Sequence, residues 1–269
     1  SGDGSLSLLY QAQAAEPSIT CTPAGDPVDI AGARLLPADA VIFQAAHVSR
    51  AVMLAEMIDP SVRNEDDPDD RDVELDIYDP RNPHQPPYTE DYIDRFRAAQ
   101  LARVRRRTAW VRFMLERLRA SGDGEVERGF VTHRTLADPR FLDPALDRND
   151  RPIGTCYLGN PEAVNTGPVG IARFSTLRAW LSQWSVDDTN AHGEQCAARI
   201  RVPLLVIENS ADDAVPQPHT GRVFAAAASV DKSFHVIKGA THYYVGQPEL
   251  MQSTIDLTLA WLGARGLYD

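Results

Sequence analysis

With 269 residues, 43% hydrophobic and 24% charged, the chain can bury a large core, as one domain with an insertion or as two domains. Its formal charge of −11 excludes the broad basic surface that binding to nucleic acid or an anionic membrane needs. No run approaches the roughly 20 apolar residues that span a bilayer, and three cysteines without metal spacing, Cys21, Cys156 and Cys196, read as free thiols of a reducing, cytoplasmic compartment.

The opening "SGDGS" sets Ser1 before two spaced glycines, Gly2 and Gly4, and ahead of a helix predicted over 6–14. The apolar run "AVIF" predicts a strand over 40–43, with His47 just past its end. Similar runs predict strands over 204–207 and 234–237, and helices are predicted over 219–228 and 249–262. In the last helix Leu250, Ile255, Leu259 and Leu262 fall near helical spacing. This alternation at the two ends, 1–46 and 196–269, predicts an α/β fold. A parallel sheet would be flanked by helices, with ligands at the carboxyl ends of its strands.

The middle, 47–195, is rich in Asp, Pro and Arg and reads as a mostly helical cap inserted between two strands. Ile93, Phe96, Gln100, Val104, Thr108, Val111, Leu115 and Leu118 step by three or four along a helix predicted over 89–119. Thr89 followed by Asp91 and Asp94 suits its start, and "SGDG" at 121–124 its stop. The acidic run "NEDDPDDRDVELD" at 64–76 lacks calcium-loop spacing and contains Pro68, so it reads as a solvated cap loop and no metal is expected. The seven arginines of the long helix, from Arg95 to Arg112, are expected to pair with that run or to face solvent. Trp180 and Trp184, four apart, read equally as an aromatic pocket wall or as core.

Chemistry enters at two strand ends. "VPLLVIENSADDAVP" sets Asp212 and Asp213 beyond one strand, and "FHVIKGATHYY" sets His242 beyond the next. A carboxylate and an imidazole there can meet, the carboxylate orienting the ring and steadying its positive form while the ring takes a proton from a hydroxyl. Ser1 stands where the hydroxyl is needed, in the order Ser…Asp…His. Small residues beside it permit a strained turn, and the Gly2 amide at a helix start would donate to an oxyanion. His235 inside a strand and His219 at a helix start read as structural, while His47 and Tyr243 stand near the expected mouth as candidate substrate contacts, with a surface or hydrogen-bonded role the favoured alternative for His47.

Together these segments resemble an α/β-hydrolase that starts at its nucleophile. "SGDGS" resembles the second half of a G-x-S-G-x-G elbow, "NSADDAVP" the family's acid loop and "GATHYY" its histidine loop. The resemblance assigns Ser1, Asp212 and His242 as a triad and Gly2 as an oxyanion donor, with Asp213 the rival acid. Family members that carry the acid one strand earlier find no counterpart in "FQAAHVSR", which has no carboxylate. It implies acyl transfer through an acyl-enzyme without a cofactor. The expected substrate is a carboxylic ester, then an amide or lactone; a non-catalytic binding or regulatory scaffold is the alternative of another class. Incompleteness, self-cleavage as in N-terminal-nucleophile hydrolases, and cutting by another protease each account for a serine at position 1. The expectation is a two-piece enzyme whose N-terminal fragment supplies the first strands and the second oxyanion donor.

Overall fold

The computed structural model describes residues 4–122, 124–147, 149–168 and 170–268. Helix α1 (Gly4–Ala15) leads through a long loop to strand β1 (Val41–Gln44) and helix α2 (Arg50–Met57). The insertion continues through β2 (Val62–Asn64), β3 (Asp67–Arg71), α3 (Glu90–Ser121), β4 (Gly129–Val131), α4 (Pro161–Thr166), β5 (Phe174–Thr176) and α5 (Leu177–Gln183). Helix α6 (Gly193–Ala197), β6 (Leu204–Asn209), α7 (His219–Ala226), β7 (Lys232–Ile237) and α8 (Pro248–Gly263) complete the chain.

The chain is an α/β protein with a parallel sheet of order β1-β6-β7. Central β6 reads as a continuous apolar run because both its faces are covered. Leu204 and Val206 turn toward a cluster that includes Leu8 and Ala12 of α1, Cys196 and Ala197 of α6 and Val223 of α7. Leu205 and Ile207 turn the other way, onto Trp261 and Leu257 of α8. The predicted strands and helices of both end regions are present, and β6 and β7 run longer than their apolar runs alone indicate.

The boundary expected at 195/196 falls inside α6, whose Cys196 and Ala197 pack with the sheet cluster. A Cβ on Gly193, the first residue of α6, would stand 1.7 Å from the Val48 carbonyl oxygen. Gly193→Ala is therefore expected to destabilise the protein by about 2–3 kcal/mol, because backbone must yield to backbone. The shift in urea midpoint measures it.

The insertion has its own core, in which α3 packs against α2 and α5. Thr89 caps α3 by accepting from the Tyr92 amide, and Gly122, at φ 66°, ends it in the left-handed conformation. The expected stripe is buried from Phe96 to Leu118, but its centre is polar. Gln100 donates to the carbonyls of Glu56 and Ile58 at 2.7 and 2.8 Å, satisfying the end of α2. Two short antiparallel sheets, β2-β3 and β4-β5, accompany the helices.

The acidic run is a hairpin and not a loop, although Asp66, Asp67, Asp69, Asp70 and Glu74 face solvent as expected. It forms the β2-β3 hairpin, with Pro68 on β3, and Glu65 grips the buried Arg103 through two 2.8 Å bonds. Asp76 at its end is buried against Arg134 at 2.9 Å. Buried guanidiniums require carboxylates, which draws these acids inward. Of the other arginines on α3, Arg95 and Arg106 also meet this run, whereas Arg97, Arg105 and Arg112 find Asp138, Asp187 and Asp188 elsewhere. Among the described residues no helix is long and apolar enough to cross a membrane, and the three cysteines are free thiols.

Candidate active site

Asp212 and His242 lie just past the carboxyl ends of adjacent strands β6 and β7, and their side chains meet. His242 Nδ1 is 3.1 and 3.0 Å from the two Asp212 carboxylate oxygens, with both side chains almost wholly buried. The turn after β6 folds back so that Asp212 Oδ1 also accepts from the Ala214 and Val215 amides at 2.8 and 2.7 Å. The carboxylate is thus fixed before it touches the ring. With Nδ1–H held by the carboxylate, Nε2 is left as the ring's acceptor, the arrangement a general base needs.

Asp213 has another partner. Its Oδ1 accepts the His242 backbone N–H at 3.2 Å, so it braces the histidine loop instead of facing the imidazole. Tyr243 is 60% exposed and meets the His242 ring edge-on, with centroids 4.6 Å apart. Across from it stands Tyr157 of the insertion, whose ring centroid is 6.1 Å from that of Tyr243.

Ser1 and Gly2 lie outside the described residues. Their neighbour Gly4 opens α1 against the carboxyl end of β1: a Cβ there would meet the Ala46 methyl at 2.6 Å. Absence of a side chain at Gly4 is what lets the helix start so close to the strand end.

Three expected contacts take different places. His47 is not at an open mouth but 0% exposed, and neither ring nitrogen has a partner among the described residues. Burial, reinforced by His219 and Arg50, pushes its pKa down to about 3, so the ring is neutral at physiological pH. Trp180 and Trp184 stack at 4.8 Å in the core of the insertion, Trp180 Nε1 donating to Thr108 Oγ1 at 2.9 Å. They are core, not pocket wall, because their helix turns toward α3.

Other partners of the site were not foreseen. Residues 149–151 of the insertion clasp the acid loop: Asn149 Nδ2 and Arg151 donate to the Asp212 carbonyl at 2.9 and 3.1 Å. The Asp150 amide donates to the Ser210 carbonyl at 2.7 Å, and its carboxylate meets Lys238 at 2.7 Å. Only the polar sequence "DRND" hints at this, since the contacts join residues some sixty apart. His219, expected only to begin a helix, accepts the Val48 amide at Nδ1 (3.2 Å), which places its proton on Nε2, 3.0 Å from Glu56. Glu56 in turn meets Arg140, and Arg140 and Arg97 both meet the fully buried Asp138.

Among known proteins, no family model matches the chain and no curated protein matches it. A solved structure, the crystal structure of Paleococcus ferrophilus monoacylglycerol lipase, is similar at 21% identity over 56% of this chain, with a TM-score of 0.30. The match covers 51% of the lipase, so the chain spans about half the length of that protein.

Proposed function

We propose that the chain is the acid- and histidine-bearing part of a serine hydrolase of the α/β type. One observation carries this: a buried carboxylate, fixed by two backbone amides, holds an imidazole at the carboxyl ends of adjacent parallel strands. In this reading Ser1 Oγ attacks an acyl carbon while His242 Nε2 takes its proton and Asp212 steadies the imidazolium. The Gly2 amide, ahead of α1, donates to the tetrahedral oxyanion. His242 returns the proton to the leaving alkoxide; water, deprotonated by the same ring, then releases the acid. A carboxylic ester is the proposed substrate, an amide or lactone the next, with exposed Tyr243 touching the bound group.

A second polypeptide segment beside β1 belongs to the same reading. Among the described residues β1 pairs only with β6, and apolar hollows of about 360 and 260 Å³ flank it. Leu6 and Ile42 line one, Met251 and Ile255 the other, and all four are exposed. Such an edge is a template for another strand.

A fluorophosphonate probe tests the reading on the protein as isolated with any copurifying chain. The expected product is a covalent adduct on the peptide that begins at Ser1, abolished by His242→Ala. An unreactive Ser1 in folded protein would overturn the catalytic reading in favour of a binding scaffold.

A further inference from the structure

A cavity of about 440 Å³ opens between α1, the segment following it and the 189–191 loop. None of Asp212, His242 and Tyr243 lines it. Leu9, Ile19, Val28 and Ile30 form an apolar wall, each half-buried. Its volume lies within the range of about 300–1,000 Å³ typical of small-molecule sites. It is also about three times the roughly 150 Å³ that holds benzene, room for a chain on the order of ten carbons.

One charged side chain, Arg50, lines the cavity. Its backbone N–H is engaged by Ser5 Oγ at 3.3 Å, but among the described residues no carboxylate or other acceptor meets its guanidinium. Its Nε is buried without a hydrogen-bond partner. In the insertion the buried guanidiniums of Arg103, Arg134, Arg140 and Arg151 each hold a carboxylate, while buried Arg107, whose Nε is also unpartnered, lies over the Trp110 and Phe130 rings. A buried donor without an acceptor is costly, so among the described residues an anion is the group this cavity lacks. A single planar fork of donors suits a monoanionic carboxylate, which it can bind bidentately.

We propose that this cavity binds a medium-chain fatty carboxylate, its head on Arg50 and its alkyl chain along Leu9, Ile19, Val28 and Ile30. The site is independent of the catalytic reading, since occupancy is measured without turnover and its failure leaves the fluorophosphonate result untouched.

Cys21 reports occupancy, because it lines the cavity and is exposed while Cys156 and Cys196 are buried. Decanoate added to the intact protein is expected to slow modification of Cys21 by a thiol reagent in a saturable way. Calorimetry should show Arg50→Met weakening decanoate binding by about 10- to 100-fold, the worth of a charged hydrogen-bonded contact, while uncharged decanol binds both proteins alike. Val28→Trp, which fills the hollow, should abolish binding of both, with an unchanged melting midpoint as the control for folding. Absence of Cys21 protection by decanoate in the wild-type protein would overturn the proposal. So would decanoate affinity that ignores Arg50, or binding that survives Val28→Trp.

Discussion

Asp212→Asn is expected, on the proposed triad reading, to lower ester turnover by about 10⁴-fold without unfolding the protein, the loss known for a triad whose carboxylate becomes an amide. The geometry gives the reason. Asp212 Oδ1 accepts from the Ala214 and Val215 amides, so an asparagine keeps its carbonyl oxygen there and turns its NH2 toward the imidazole. His242 Nδ1 must then accept, its proton moves to Nε2, and the ring can no longer take a proton from a serine. Asp213→Asn retains an oxygen for the His242 backbone N–H at 3.2 Å, and a loss of less than about tenfold is expected from one neutral hydrogen bond. Hydrolysis of p-nitrophenyl butyrate by both variants, with melting curves as a folding control, separates the two carboxylates. A larger loss in Asp213→Asn would move the catalytic acid to that residue.

Arg140→Met is expected to destabilise the fold by about 3–5 kcal/mol at neutral pH, the usual cost of removing one partner from a buried charge network. Arg140 is 9% exposed and touches Asp138 at 2.6 Å and Glu56 at 2.5 Å. Without it, Asp138 keeps Arg97 alone, and Glu56 keeps His219 as its neighbour at the root of the insertion. Burial by itself would raise the Asp138 pKa, but the Arg140 and Arg97 guanidiniums outweigh it and hold the carboxyl at about 2, below the ordinary carboxylate range. Glu56 is likewise held well below the usual range, burial being outweighed by Arg140, His219 and Arg97. Folded pKa values below the unfolded ones mean that the unfolded chain binds more protons in acid. The stabilisation is therefore complete above about pH 4–5 and is lost as pH falls through about 2. Melting midpoints of wild type and Arg140→Met should converge over that interval. A gap that stays constant down to pH 2 would show that Arg140 contributes packing rather than charge.

What the sequence revealed follows the range of its signals. Apolar runs and helical periodicity are local, so β6, β7, α3 and α8 were legible, as was the meeting of Asp212 with His242 at neighbouring strand ends. The placement of His47 was not, because the run "FQAAHVSR" does not reveal that the backbone after β1 packs against α6 and α7, with Val48 meeting Gly193 and His219. Charge patterning at 64–76 held for Asp66, Asp67, Asp69, Asp70 and Glu74, which face solvent, but not for Glu65 and Asp76, which turn inward to Arg103 and Arg134, 38 and 58 residues away. Trp180 and Trp184 had two readings with the same spacing, and only the position of α3 decides between them.

The clasp of residues 149–151 on the acid loop has a mechanical consequence. Any hinge motion that lifts this stretch away must break its bonds to the Asp212 and Ser210 carbonyls and the Asp150–Lys238 pair together. Such a motion would pull on the turn that aims the Asp212 carboxylate. The stretch therefore behaves as part of the rigid frame. On the proposed reading, a gate that opens without disturbing the Asp212–His242 pair has to pivot on other parts of the insertion, leaving 149–151 seated.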